Sequence, residues 1–304
     1  MGEHIVLIKV LGSAAGGGFP QWNCLCPVCE LAWKKDPRVR SRTQSSLAIT
    51  VDGDHWLLLN ASPDLRQQII ETPELHPRVA SRHSPIFGVF ITNGDVDHIA
   101  GLLTLREQQP LTIFASPAIL AHIPQNSVFG VLNPAVVRQQ AVALDESIDV
   151  GFGLTITPFA VPGKVPLYSE GTQPEIGLET ETTIGLEISS DGRKIFYIPG
   201  CARITANLKS RIAGADAVFF DGTTFTDDEM PRLGLSQKTA WRMGHIAISG
   251  PEGSLACLAD VKIGRKIYVH INNTNPVLIE DSPQRQTVAA AGWDVAHDGM
   301  EIAF

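Results

Sequence analysis

Basic runs, a cysteine framework and long apolar stretches are all missing from this 304-residue chain. Lys and Arg number 24 against 32 Asp and Glu, a formal net charge of −8, and no Lys/Arg run interrupts that balance. Such a surface excludes nucleic acid and anionic membrane as the main partners. Cysteines number five, an odd count, and three fall within residues 24–29, too few and too clustered for a secreted disulfide scaffold. Asp, Glu, Lys and Arg are absent from 10–29 and 111–137, yet Gly, Pro, Asn or Gln breaks both stretches, so neither reads as a membrane helix. Met1–Leu11 carries no cleavable signal pattern, and a cytoplasmic protein is expected. No internal repeat, low-complexity tract or Pro/Gly/Ser-rich linker divides the chain, so one domain over 1–304 is expected, with a cysteine loop at 12–30. Hydrophobic residues make up 44% and charged residues 18%, an ordinary globular composition that rules out intrinsic disorder.

What is present alternates between strand and helix patterns. His4–Leu11 reads as a buried strand entering the glycine-rich loop Gly12–Gly18. Leu47–Val51 and His55–Leu59 flank Asp52-Gly53-Asp54, a strong hairpin signal. Pro63–Glu71 suits a helix with Ser62 as N-cap. Ile86–Thr92 is strand-like and Ile99–Glu107 helical, with Asn93–His98 as a loop between them. Later strands are expected at Leu154–Val161, Thr182–Ser189, Lys194–Ile198, Ala217–Phe220 and Lys266–His270, and helices at Ile204–Ala213, Pro251–Val261 and Gln284–Ala291. Hairpins with flanking helices in both halves indicate a layered α/β protein built on two mixed β-sheets.

Three segments carry chemistry. Cys24, Cys26 and Cys29 place three thiols within six residues around Pro27. Such thiolates converge on one tetrahedral ion, and zinc in a structural role is the default. Cys201 and Cys257 stand alone and read as ordinary buried residues. The loop Gly12–Gly18 is followed by Phe19-Pro20 rather than a helix start, which argues against a dinucleotide fingerprint. It suits a close backbone approach to a site instead. Thr92-Asn93-Gly94-Asp95-Val96-Asp97-His98 joins a strand to a helix, so its polar side chains cluster at a sheet edge. His245 and His270 add the histidines that turn an acidic turn into a candidate metal site.

Asn93-Gly94-Asp95-Val96-Asp97-His98 resembles the His-x-His-x-Asp-His signature of the metallo-β-lactamase superfamily, with Asn93 and Asp95 in place of two histidines. Gly12–Cys24, Thr92–Gly101 and His270–Pro276 resemble, more narrowly, a family within it that acts in biosynthesis of the redox cofactor pyrroloquinoline quinone (PQQ). The resemblance implies a four-layer αββα sandwich with the metal site at the edge between the sheets. It assigns catalytic-metal positions to Asp97, His98 and His270, with Asp95 beside them, and matches His245 to the Gly-His of related phosphodiesterases. Those phosphodiesterases close a cysteine zinc site with a residue three positions after the last-motif histidine, here Asn273. Where the superfamily places a further ligand histidine the chain has Val161-Pro162-Gly163-Lys164, and Ile198-Pro199-Gly200-Cys201 stands at the usual bridging aspartate. Asp221, ending its own strand, is a candidate substitute.

A two-zinc hydrolase would therefore be short of ligands. Two histidines with one or two carboxylates resemble the ligand type of non-heme iron(II) oxygenases. The leading expectation is a metal-dependent hydroxylase of the peptide-derived Glu–Tyr intermediate of PQQ synthesis. Its catalytic residues are Asp97, His98, His245 and His270. Its ions are a structural zinc and, at the catalytic site, iron(II), with manganese, magnesium and zinc as alternatives. Its partners are a small-molecule or dipeptide-derived substrate and other PQQ biosynthesis proteins, and a homodimer is compatible with this reading. A metal-dependent hydrolase and a non-enzymatic carrier of PQQ or its precursor are the competing expectations.

Overall fold

The computed structural model describes residues 5–171 and 175–304; Met1–His4, where the expected first strand opens, lies outside them. Six strands come first: β1 (Leu7–Gly12), β2 (Ser46–Thr50), β3 (Trp56–Leu59), β4 (Ile86–Phe90), β5 (Leu111–Ala115) and β6 (Val137–Ala141). There follow β7 (Ile148–Gly151), β8 (Leu154–Gly163), β9 (Leu178–Ser190), β10 (Arg193–Ile198), β11 (Ala217–Asp221), β12 (Arg265–Val269) and β13 (Trp293–Val295), and β14 (Glu301–Ala303) closes the series. They form two seven-stranded sheets, ordered β14-β1-β2-β3-β4-β5-β6 and β13-β12-β11-β10-β9-β8-β7. In the first sheet, pairing is antiparallel from β14 to β3 and parallel from β3 to β6. The second repeats the scheme, antiparallel from β7 to β10 and parallel from β10 to β13. The mixed two-sheet sandwich with flanking helices is the architecture expected from the sequence.

Strict alternation explains how the second sheet is buried on both faces. Ile195, Tyr197, Ala217, Phe219, Ile267 and Val269 join the core between the sheets, which also holds Leu47, Ile49, Leu57 and Leu59. Their neighbours Phe196, Ile198, Val218, Phe220 and Tyr268 face a second core with Leu208, Ile212 and Val288 from the helices Ala206–Ile212 and Pro283–Ala290. No described helix is long and apolar enough to cross a membrane.

The Asp52-Gly53-Asp54 hairpin forms between β2 and β3, and Asp191-Gly192 turns β9 into β10. Four local expectations are corrected. Ser62 is not an N-cap: the helix Leu65–Glu71 starts later, and Ser62 Oγ donates to Gln68 Oε1 at 3.1 Å. Asp97 and His98 lie not in a loop but in a one-turn helix, Val96–Ile99, where the N–H groups of His98 and Ile99 donate to the Asp95 carbonyl. The helix expected over Ile99–Glu107 is a 3-10 stretch, Ala100–Arg106. Pro251–Val261 shrinks to Ser254–Cys257, because Gly250 at φ +96° and Pro251 belong to the preceding turn.

Candidate metal centre

The parallel strands of both sheets end at one edge, and the chemistry-bearing residues follow directly after those ends. Beyond β3, Asn60 Nδ2 donates to Thr92 Oγ1 at 2.9 Å while Asn60 Oδ1 accepts from Thr92 N at 2.8 Å, pinning the exit of β4. Asn60 Nδ2 also reaches the hydroxyl of buried Tyr197 on β10, 3.3 Å away, so the two sheets are tied beneath the site. β12 ends at Val269, and His270 takes a left-handed turn at φ +55°. Its loop is braced by Ile271 N donating to Ser13 O and Ala15 N donating to Ile271 O, both at 2.9 Å. The glycine loop thus passes close to the site: a Cβ on Gly16 would stand 3.5 Å from the Asp97 carboxyl.

Asp97, His98 and His270 bring one ligand atom each within 4.8 Å of one another. Asp97 Oδ2 lies 3.0 Å from His270 Nε2 and 3.7 Å from His98 Nε2. Buried His98 Nε2 has no hydrogen-bond partner among the described residues, a loss of about 1–3 kcal/mol unless something else takes its lone pair. A metal ion resolves that deficit, and the set of two imidazoles and one carboxylate fits a divalent cation with open positions. Burial presses the His98 imidazole down to about 4, against the pull of Asp97, and so keeps it neutral for ligation. Burial also favours the neutral Asp97 acid, but His98 and His270 outweigh it and hold the carboxyl well below the usual range. In His270, burial is likewise outweighed, and the Asp97 hydrogen bond and charge raise its pKa.

Asp221, the last residue of β11, has both oxygens occupied. Oδ1 accepts from Thr223 N at 3.0 Å and Thr223 Oγ1 at 2.7 Å, and Oδ2 accepts from Cys201 N at 2.9 Å and lies 2.6 Å from His245 Nδ1. Since the Thr223 hydroxyl donates its proton to Asp221, it acts as acceptor for His270 Nδ1, 2.9 Å away. With an ion bound, the proton on His270 would sit at Nδ1 and the Nε2 lone pair would face the ion in place of the hydrogen bond to Asp97. The same arrangement leaves Nε2 of His245 for the cavity that this ring lines. Asp221, His245 and His270 also fall within 4.8 Å as a second grouping. Asp95 lines the same cavity without joining either grouping, and its Oδ1 accepts from Leu167 N at 3.1 Å.

The cysteine site is built differently. The helix Pro27–Trp33 begins immediately after Cys26, with Pro27 at its first position. Cys26 Sγ accepts from Cys29 N, and Cys24 Sγ from Cys26 N, both at 3.4 Å. The Asn273 amide nitrogen faces all three sulfurs, 3.2 Å from Cys24, 4.0 Å from Cys26 and 3.3 Å from Cys29. Amide nitrogen and oxygen exchange places by a simple flip, which would turn the Asn273 oxygen toward the three sulfurs. Cys201 is a buried free thiol and Cys257 a half-buried one.

The cavity over the histidines measures about 240 Å³ and is also lined by Lys164, Glu170, Lys238 and Arg242. Thr223 and this charged wall escaped sequence reasoning. A threonine two residues past a strand end carries no periodic signal, and the charged residues come from separate loops.

Comparison with known proteins bears on this site. The profile of the beta-lactamase superfamily domain matches residues 55–271. Coenzyme PQQ synthesis protein B of Methylorubrum extorquens (strain PA1) is 60% identical over 299 residues, which span 98% of this chain and 99% of that protein. The crystal structure of Zn(2+)-bound PqqB from Methylobacterium extorquens superposes with a TM-score of 0.96 at 60% identity, over 97% of this chain and 99% of that one. A diphosphatase of the PhnP family shares the fold, with a TM-score of 0.69 at 20% identity, over 99% of this chain and 97% of that one.

Proposed function

The chain belongs to the coenzyme PQQ synthesis protein B family of the beta-lactamase superfamily, and we propose that it serves PQQ biosynthesis as a metal-dependent hydroxylase of the tyrosine-derived Glu–Tyr intermediate. The observation that carries this reading is the convergence of Asp97, His98 and His270, with His98 Nε2 buried and without a hydrogen-bond partner among the described residues. These three residues would hold iron(II), which would supply dioxygen activation. Thr223 keeps the His270 proton at Nδ1 and so keeps Nε2 available. Asp221 anchors His245 through Nδ1, so that His245 Nε2 moves the phenol proton as a general acid–base group. Cys24, Cys26, Cys29 and Asn273 hold a structural zinc, a reading supported by the zinc-bound relative. The same reading has the protein working in the cytoplasm beside the other proteins of PQQ biosynthesis.

The grouping of Asp221, His245 and His270 favours a second reading, a two-metal hydrolase. Against it, all contacts of the Asp221 oxygens are taken by backbone, hydroxyl and imidazole donors. The test is anaerobic reconstitution with iron(II), followed by oxygen-uptake measurement with a tyrosine-containing dipeptide. Uptake that depends on dipeptide and on iron is expected. Two tightly held zincs per chain beyond the cysteine ion, with no oxygen uptake, would favour the hydrolase.

A further inference from the structure

Three cations line the cavity above the histidines: Lys164, Lys238 and Arg242. Such a concentration is unexpected in an acidic protein, and two of the three are packed in place. Lys164 runs across the turn before His245, where a Cβ on Gly244 would come within 2.9 Å of Lys164 Cγ. Gly244 adopts φ +87° and leaves that space open. Lys164 Nζ lies 3.0 Å from Glu170 Oε1, and Arg242 Nη2 donates to Glu170 Oε2 at 2.9 Å. The Glu170 and Lys164 side chains are only 7% and 12% exposed. One enclosed carboxylate is thus shared by two cations. Arg242 Nη1 is buried with no hydrogen-bond partner among the described residues, and Lys238 forms no ion pair among them.

The charges around the cavity decide what it takes. Its lining carboxylates are Asp95, Asp97 and Glu170, equal in number to its lining cations. A divalent ion on Asp97, His98 and His270 would therefore leave the lining with a twofold positive excess, which Asp221 behind His245 halves. In low-dielectric surroundings an uncompensated charge is costly, and a bound anion offsets it. The planar Arg242 guanidinium, with one edge on Glu170 and Nη1 spare, suits a carboxylate better than an ammonium alone does.

We infer that Lys164, Glu170 and Arg242, with Lys238 beside them, form a carboxylate-binding subsite that orients an acidic substrate toward the metal centre. The inference rests on the reading of Asp97, His98 and His270 as that centre. It assigns specificity to residues outside the ligand set: the substrate carries a carboxylate apart from the group that reacts.

The test is calorimetric titration of the zinc-loaded protein, without oxygen, using the straight-chain dicarboxylates succinate, glutarate and adipate, and butyrate as single-carboxylate control. The parent protein should bind at least one dicarboxylate about tenfold more tightly than butyrate. Arg242→Gln and Lys238→Gln should each lose most of that preference while zinc content stays unchanged, and Arg242→Lys should recover part of it. Lys238 is only partly buried, so its variant keeps the test readable if Arg242→Gln fails to fold. Equal binding of dicarboxylates and butyrate by the parent protein, or an unchanged preference in both glutamine variants, would overturn the subsite. Neither result touches the oxygen-uptake assay, and loss of oxygen uptake leaves this assay intact, so the two readings fail separately.

Discussion

At the cysteine cluster, three sulfurs and the Asn273 amide face one another. At the histidine cluster, Asp97, His98 and His270 meet on one side only and border a cavity of about 240 Å³. The two sites share a single loop, since Asn273 follows His270 by three residues. One loop therefore serves a closed site suited to holding structure and an open site suited to chemistry. The difference lies in donors: soft sulfurs at one, imidazoles and a carboxylate bordering a cavity at the other.

That contrast breaks most completely at the open site. His98→Ala or His270→Ala should abolish binding of the labile metal and oxygen uptake together, with the cysteine zinc retained. Metal analysis by mass spectrometry beside the uptake assay checks this, and a variant that kept the labile metal would remove the residue from the ligand set. Asp97→Ala should match them, because its carboxylate also offsets the ion's charge.

His245→Ala should separate metal from rate. The ion stays bound while turnover falls by roughly 10²–10⁴-fold, the ordinary contribution of a positioned acid–base group. Loss of the ion in this variant would instead support the second metal grouping. A smaller effect is expected from Thr223→Val, which keeps the shape but removes the hydroxyl that orients His270. Metal affinity should weaken by roughly 10–100-fold, readable by competition with a chelator.

The smallest effect on rate belongs to Cys26→Ser. Zinc should fall by one equivalent and the melting temperature should drop. Amide exchange should quicken first over residues 12–30, with turnover changed less than tenfold once the labile metal is restored. Full zinc content with unchanged melting would contradict the cysteine reading.

Much of this was legible in the sequence because the signals were local. Short apolar runs marked β10, β11 and β12, and Asp52-Gly53-Asp54 marked the hairpin between β2 and β3. Cys24, Cys26 and Cys29 announced their own site by spacing. The sequence could not show that Asp221 spends both oxygens on orienting neighbours, because its partners Cys201, Thr223 and His245 arrive from three different loops. Nor could it show that Asp95, in the signature stretch, turns its Oδ1 toward Leu167, a contact set by a distant segment. The short helix over Asp97 and His98 was missed because four residues are too few for a periodic pattern.

The central claim is that the open cluster performs chemistry in PQQ synthesis. The most direct measurement is PQQ yield in cells that carry His98→Ala or His270→Ala as their sole copy, with protein level checked by immunoblot. The account predicts normal protein and no PQQ. Normal PQQ from folded variants lacking the labile metal would contradict it and leave the carrier role standing.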